Sequence, residues 1–93
     1  MSKHCIEVMV YRVKNPHMAA AARRAARQHI EAMPGFLGWQ AVTSAEDPNV
    51  FTDILTWRSL ADARSAGEQV MTDPRCAPLM AEIAEVVSKG HYV

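Results

Sequence analysis

From Cys5 to Val13, successive residues alternate between two sides of the segment at a period of two. Ile6, Val8 and Val10 fall on one side of the segment, and the other side carries Cys5, Glu7, Met9, Tyr11 and Val13. This period is typical of a β-strand. We therefore predict strand one from Cys5 to Val13.

A helical pattern follows. Asn15 can cap a helix, and Pro16 suits the first turn. The segment from Met18 to Met33 is rich in Ala and places one apolar stripe on a helix, formed by Ala22, Ala26, Ile30 and Met33. We predict helix one here, ended by Pro34-Gly35, with small residues that allow close packing on a sheet.

The middle of the chain predicts a hairpin and a second helix. Two strand-like runs, Phe36 to Ser44 and Val50 to Trp57, are joined by a polar turn that contains Asp47-Pro48-Asn49. The segment Ser59-Leu60-Ala61-Asp62 then has the spacing of a capping box. Strands two and three should pair, and helix two should end near Thr72.

The last part of the chain predicts a third helix and a short strand. Pro78 fits a first helical turn, Gly90 can end the helix, and the apolar face between them consists of Met80, Ile83, Ala84 and Val87. His91-Tyr92-Val93 could add an edge strand beside strand one. The order β-α-β-β-α-(α)-β predicts an α+β fold with a ferredoxin-like antiparallel sheet, in one domain over residues 1–93.

The sheet has apolar residues on both faces. Phe51, Leu55 and Trp57 lie on one face of strand three, whereas Val50 and Ile54 lie on the other. Helices can cover only one face of such a sheet. We therefore expect a homodimer in which a second copy packs its sheet against the open face.

Composition excludes several classes of function. Ten basic and ten acidic residues balance, so no overall field would attract nucleic acid. No apolar run resembles a signal peptide or could span a bilayer, and we expect a cytoplasmic protein without membrane contact. Cys5 and Cys76 form no C-x-x-C pair and are expected to be buried hydrophobic residues.

Asp53 is the most unusual residue in its setting. Alternation places its carboxylate among Phe51, Leu55 and Trp57, where it could take a proton or bind a polar group of a substrate. The equal alternative is a structural carboxylate, hydrogen-bonded to a neighbour or to Arg12. Substrate-binding candidates around it are Trp57, Trp39, Phe51, Leu55, His29 and Met80, although core packing is the favoured interpretation for Trp39 and, slightly, for Trp57.

The remaining polar clusters point to no cofactor. No His pair has the spacing of a metal site, and no P-loop, G-x-S-x-G or G-x-G-x-x-G motif is present. Among the histidines, His29 could face the same cavity as Asp53 and act as a base. Arg23, Arg24 and Arg27 are most simply a solvated helix face, with Arg27 paired to Glu31.

Three motifs, Pro34-Gly35-Phe36, Trp57-x-Ser59 and Asp73-Pro74-Arg75, carry a family resemblance. With the elements in this order, nearly the whole chain resembles the antibiotic biosynthesis monooxygenase-type family of dimeric α+β barrels. The resemblance implies a ferredoxin-like subunit with a ligand cavity between sheet and helices. Cofactor-independent members of this family oxidise flat polycyclic phenols to quinones.

The resemblance also carries over to single positions. In quinone-forming members, an Asn four residues before the Trp of Trp-x-Ser helps that Trp to bind and activate the substrate. Here these two positions are Asp53 and Trp57. Those enzymes also use a Tyr and an Arg. This chain instead has Ala63 at the Tyr position and, approximately, Met80 at the Arg position. The haem-degrading branch uses a Trp and a ligating His on later helices, and neither residue type occurs between Leu60 and Gly90.

These observations lead to a working hypothesis. The chain is expected to be a cofactor-independent monooxygenase-like enzyme that binds a small flat hydrophobic molecule, of aromatic or quinol type, at Trp57 and Asp53, without metal or flavin. The alternative is a non-catalytic ligand-binding or interaction module on the same fold. A third possibility is an isomerase or lyase in which Asp53 or His29 moves a proton.

Overall fold

The computed structural model describes residues 3–93 and shows a four-stranded sheet with three helices. The strands are β1 (Cys5–Val13), β2 (Phe36–Thr43), β3 (Val50–Trp57) and β4 (Ile83–Tyr92). The helices are α1 (Pro16–Glu31), α2 (Leu60–Thr72) and α3 (Ala77–Glu82). The predicted α+β fold with a ferredoxin-like sheet is confirmed.

The strand order is β2-β3-β1-β4, and every neighbouring pair is antiparallel. The two central strands pair from Cys5 opposite Trp57 to Arg12 opposite Val50. This register sets Met9 opposite Asp53 and Glu7 opposite Leu55, so both carboxylates lie on the sheet face that carries Trp57.

Side chains cap both longer helices as the sequence predicts. The Asn15 carboxamide oxygen accepts a hydrogen bond from the Met18 amide at 3.0 Å, and the Ser59 hydroxyl accepts one from the Asp62 amide at 3.1 Å. Helix α2 ends at Thr72 as expected, whereas α1 spans Pro16–Glu31 and so ends two residues before the predicted Met33.

The prediction of a third helix as far as Gly90 is wrong. Helix α3 ends at Glu82, and Ile83, Ala84 and Val87 belong to β4, which pairs with almost the whole of β1. The β-branched residues of this segment favour a strand. Pairing also satisfies the amide and carbonyl groups that β1 would otherwise leave open. The predicted edge strand at the end of the chain thus exists, but it begins at Ile83.

The helices cover one face of the sheet, and the core between them has two parts. The larger cluster contains Trp57, Leu55, Ile30, Ala63 and Leu79. The smaller one is built from Tyr11, Val13, Ala19 and Phe51. Within residues 3–93, no helix is long and apolar enough to cross a membrane.

Candidate functional site

A cavity of about 110 Å³ lies between the inner face of the sheet and the helices. Its walls include five of the residues proposed from sequence, namely Asp53, Trp57, Trp39, Leu55 and Met80. Most of the remaining wall is apolar. An apolar cavity with a few convergent polar groups is typical of a small-molecule site.

Two proposed site residues lie outside this cavity. Phe51 belongs to the smaller core cluster, where the Arg23 guanidinium carbon lies 4.2 Å from its ring centroid and Tyr11 packs edge-on. His29 is half-buried on α1 and is not part of the cavity wall. The structure therefore does not bring His29 to Asp53.

Three donors hold the carboxylate of Asp53. The Tyr11 hydroxyl donates to Oδ2 at 2.7 Å. Oδ1 accepts from Arg23 Nη1 at 3.1 Å and from Trp39 Nε1 at 3.2 Å. Asp53 is only 6% exposed, so these bonds replace the water that it loses by folding.

The partner of Asp53 differs from the one considered from sequence. Arg12 is bound to Asp47 at 2.8 Å on the surface, and Arg23 forms the buried ion pair. The assignment of Arg23 to a solvated helix face is therefore wrong. Arg27 pairs with Glu31 at 3.0 Å as predicted, and its Nη2 also donates to the Trp39 carbonyl oxygen at 3.0 Å.

The phenol of Tyr11 is shielded from solvent. Burial raises the pKa of Tyr11 well above its ordinary value, and the negative charge of Asp53 raises it further. The hydroxyl therefore remains a hydrogen-bond donor to Asp53 over the whole neutral range. This bond fixes the orientation of the carboxylate at the end of the cavity.

A second carboxylate, that of Glu7, lies in the same cavity. Trp57, which is 1% exposed, donates from Nε1 to Glu7 Oε1 at 3.0 Å. Phe36 packs edge-on against the Trp57 indole, with ring centroids 5.6 Å apart. The indole N–H of Trp57 is thus already used by Glu7, and the ring itself forms the cavity wall.

The sequence interpretation missed Glu7, Tyr11 and Arg23. Glu7 carries the same signal as Asp53, since it is a carboxylate on the otherwise apolar side of an alternating strand. Tyr11 shares that side and could have been chosen as a hydrogen-bond partner. No comparable signal marks Arg23, because it is one of three arginines, with Arg24 and Arg27, on an Ala-rich helix.

The described residues include no cluster suited to a metal. Between residues 3 and 93, no group of three or more His, Cys, Asp or Glu side chains could hold a metal ion. Cys5 and Cys76 are free and fully buried, as predicted. Burial raises the pKa of both thiols.

Solved structures share this fold at low sequence identity. SnoaB of Streptomyces nogalater, a cofactor-independent oxygenase, is 17% identical with a TM-score of 0.84, over 99% of this chain and 93% of SnoaB. A candidate antibiotic biosynthesis monooxygenase of Bordetella bronchiseptica is 16% identical with a TM-score of 0.84, over 97% and 95% of the two chains. A protein of Pseudomonas aeruginosa is 18% identical with a TM-score of 0.68, over 99% and 94%.

The sequence itself also matches a family. No functionally curated protein matches it significantly. The family model for antibiotic biosynthesis monooxygenases matches residues 4–67, which include β1, α1, the β2–β3 hairpin and the first part of α2. This match covers more than half of the chain and both strands that carry the cavity carboxylates. The chain therefore belongs to the antibiotic biosynthesis monooxygenase family.

Proposed function

We propose that this protein is a cofactor-independent monooxygenase-like enzyme that acts on a small flat hydrophobic molecule of aromatic or quinol type. The observation that carries the proposal is the cavity itself, in which two indoles and two carboxylates meet in an apolar wall. Family membership supports oxygenase chemistry. In this proposal, Trp57 contacts the ring of the substrate, and Asp53 acts as a base or a hydrogen-bond partner.

The cavity size limits the substrate. An engineered apolar cavity of about 150 Å³ holds benzene, and the cavity found here is smaller, at about 110 Å³, so it accepts one ring at most. A polycyclic molecule would need one wall to move. Met71 and Met80 are suitable for that role, because Met side chains are flexible and both line the cavity.

One observation favours the non-catalytic alternative. Each oxygen of Asp53 already accepts at least one hydrogen bond, which is what a structural ion pair within a binding or interaction module would show. An isomerase or lyase that moves a proton through His29 has less support, because His29 lies outside the cavity wall. Turnover in the absence of oxygen would favour that third class.

We also propose that the protein is a homodimer. The sheet face opposite the helices carries partly exposed apolar side chains, namely Ile6, Val8, Val10, Val42 and Ile54. A second copy that packed its sheet against this face would bury them. The other partner in the proposal is the small hydrophobic ligand of the cavity.

Oxygen uptake tests the enzymatic proposal. Purified protein should consume oxygen with an anthrone-like or quinol substrate, and both Trp57→Phe and Asp53→Ala should abolish this consumption. Glu46→Gln is the control, since Glu46 is exposed in the β2–β3 turn and should leave the rate unchanged. Oxygen uptake that survives both cavity substitutions would rule out the proposed site.

A further inference from the structure

We propose that Glu7 binds the polar end of the ligand by accepting a hydrogen bond from it, and that this carboxylate selects ring ligands that carry a hydrogen-bond donor over those that do not. This inference rests on the proposed function, because it assigns a contact in the same cavity. It adds a specificity-determining residue that neither the sequence motifs nor the family match indicates.

Among residues 3–93, one oxygen of Glu7 has no hydrogen-bond partner. Oε1 accepts from Trp57 Nε1, but the nearest cationic atoms to Oε2 are Lys89 Nζ and His91 Nε2, both 3.9 Å away. This separation exceeds a hydrogen bond. Glu7 is 8% exposed and lines the cavity, and no side-chain oxygen of the described residues is both fully buried and without a partner, so Oε2 is an acceptor that an entering molecule can reach.

The other polar groups of the cavity already have partners. Both Asp53 oxygens accept hydrogen bonds, and the indole N–H groups of Trp39 and Trp57 donate to Asp53 and Glu7. Lys89 also lines the cavity, but its side chain is 44% exposed and can bind water. Among the carboxylate oxygens of the cavity wall in residues 3–93, Oε2 of Glu7 is thus the one that accepts no hydrogen bond.

The position of Glu7 also orients the ligand. Lys89 lines both the cavity and a wider cleft between α2 and β4, to which His91 and Arg64 also contribute. Glu7 lies directly opposite His91 in the β1–β4 register. We therefore place the donor of the ligand towards this cleft and its ring against Trp57.

An incompletely bonded carboxylate explains why donors should be preferred. A hydroxyl of the ligand would form a charge-assisted hydrogen bond with Oε2, which is stronger than a hydrogen bond between neutral groups. A molecule of the same shape without the hydroxyl would form no such bond. Sites of this kind discriminate strongly against analogues that lack the polar group.

The test compares phenol with toluene, which has nearly the same shape but no donor. Glu7→Gln keeps a carbonyl oxygen for Trp57 Nε1 and places an NH₂ group at the position of Oε2. Isothermal titration calorimetry should show that this substitution shifts the ratio of the two dissociation constants about tenfold in favour of toluene, because phenol exchanges a hydrogen bond to a charged oxygen for at most one to a neutral amide. Glu46→Gln should leave the ratio as in the wild type.

An unchanged ratio in Glu7→Gln, or failure of the wild type to bind either compound, would overturn the proposal. If Glu7→Gln does not fold, the wild type decides by itself, because anisole, the methyl ether of phenol, must then bind more weakly than phenol. Equal affinity for phenol and anisole would overturn the assignment. A shifted ratio without oxygen uptake would contradict the proposed function but not the role of Glu7.

Discussion

At the scale of single residues, Arg23 and Asp53 form a buried ion pair. Their side chains are 11% and 9% exposed, so removal of Arg23 leaves the Asp53 carboxylate without this opposite charge. We predict that Arg23→Ala lowers the free energy of unfolding by about 3–5 kcal/mol, measured by urea denaturation. The matched control is Arg24→Ala, because Arg24 is the exposed neighbour on the same helix. Equal stability of the two variants would refute the structural role of Arg23.

Tyr11 gives a second prediction at this scale, which concerns the stability of the protein at alkaline pH. The folded-state pKa of Tyr11 lies above the unfolded value of 10.0, so the folded protein keeps this proton when the unfolded chain loses it. The contribution of Tyr11 is therefore complete below pH 10 and falls by about 1.4 kcal/mol per pH unit above it. In Tyr11→Phe, the free energy of unfolding should fall less steeply with pH above 10, whereas Tyr92→Phe, at an exposed position, should behave as the wild type does. An equally steep fall in the wild type and in Tyr11→Phe would contradict the prediction.

At the scale of elements, the connection between α1 and β2 depends on one glycine. Gly35 has φ +83°, and a Cβ there would collide with the Asp62 carboxylate at the start of α2. We predict that Gly35→Ala destabilises the protein by about 1–3 kcal/mol in thermal or urea unfolding. Gly38→Ala is the control, since a Cβ at Gly38 meets nothing within 4 Å. If Gly35→Ala lowers the free energy of unfolding no more than Gly38→Ala does, the predicted strain of a side chain at position 35 is disproved.

The elements also show what the sequence could predict. The alternation of β1 and β3 and the caps at Asn15 and Ser59 are local signals, and each agrees with the structure. The segment after Glu82 has helical spacing, but its conformation depends on pairing with β1, which is distant in sequence. The same reason applies to the candidate site. Alternation placed Asp53 on the correct face, but its pairing with Arg23 depends on how α1 crosses the sheet.

At the scale of the whole molecule, the open sheet face predicts the oligomeric state. Ile54 lies on the central strand β3, opposite Val8, and points away from the helices. We predict that the wild type sediments as a dimer of the 10.3 kDa chain and that Ile54→Lys sediments as a single chain with unchanged circular dichroism. Ala25→Lys, at an exposed position of α1, should remain dimeric. A wild type that sediments as a single chain at micromolar concentration would refute the dimer.

The central claim is that the cavity beneath the helices receives a flat aromatic ligand. A crystal structure of the protein soaked with hydroquinone tests it most directly. We predict ring density against Trp57, with one hydroxyl within hydrogen-bond distance of Glu7. Crystals in which the cavity is closed and contains no hydroquinone density would contradict the account, whether or not hydroquinone binds elsewhere.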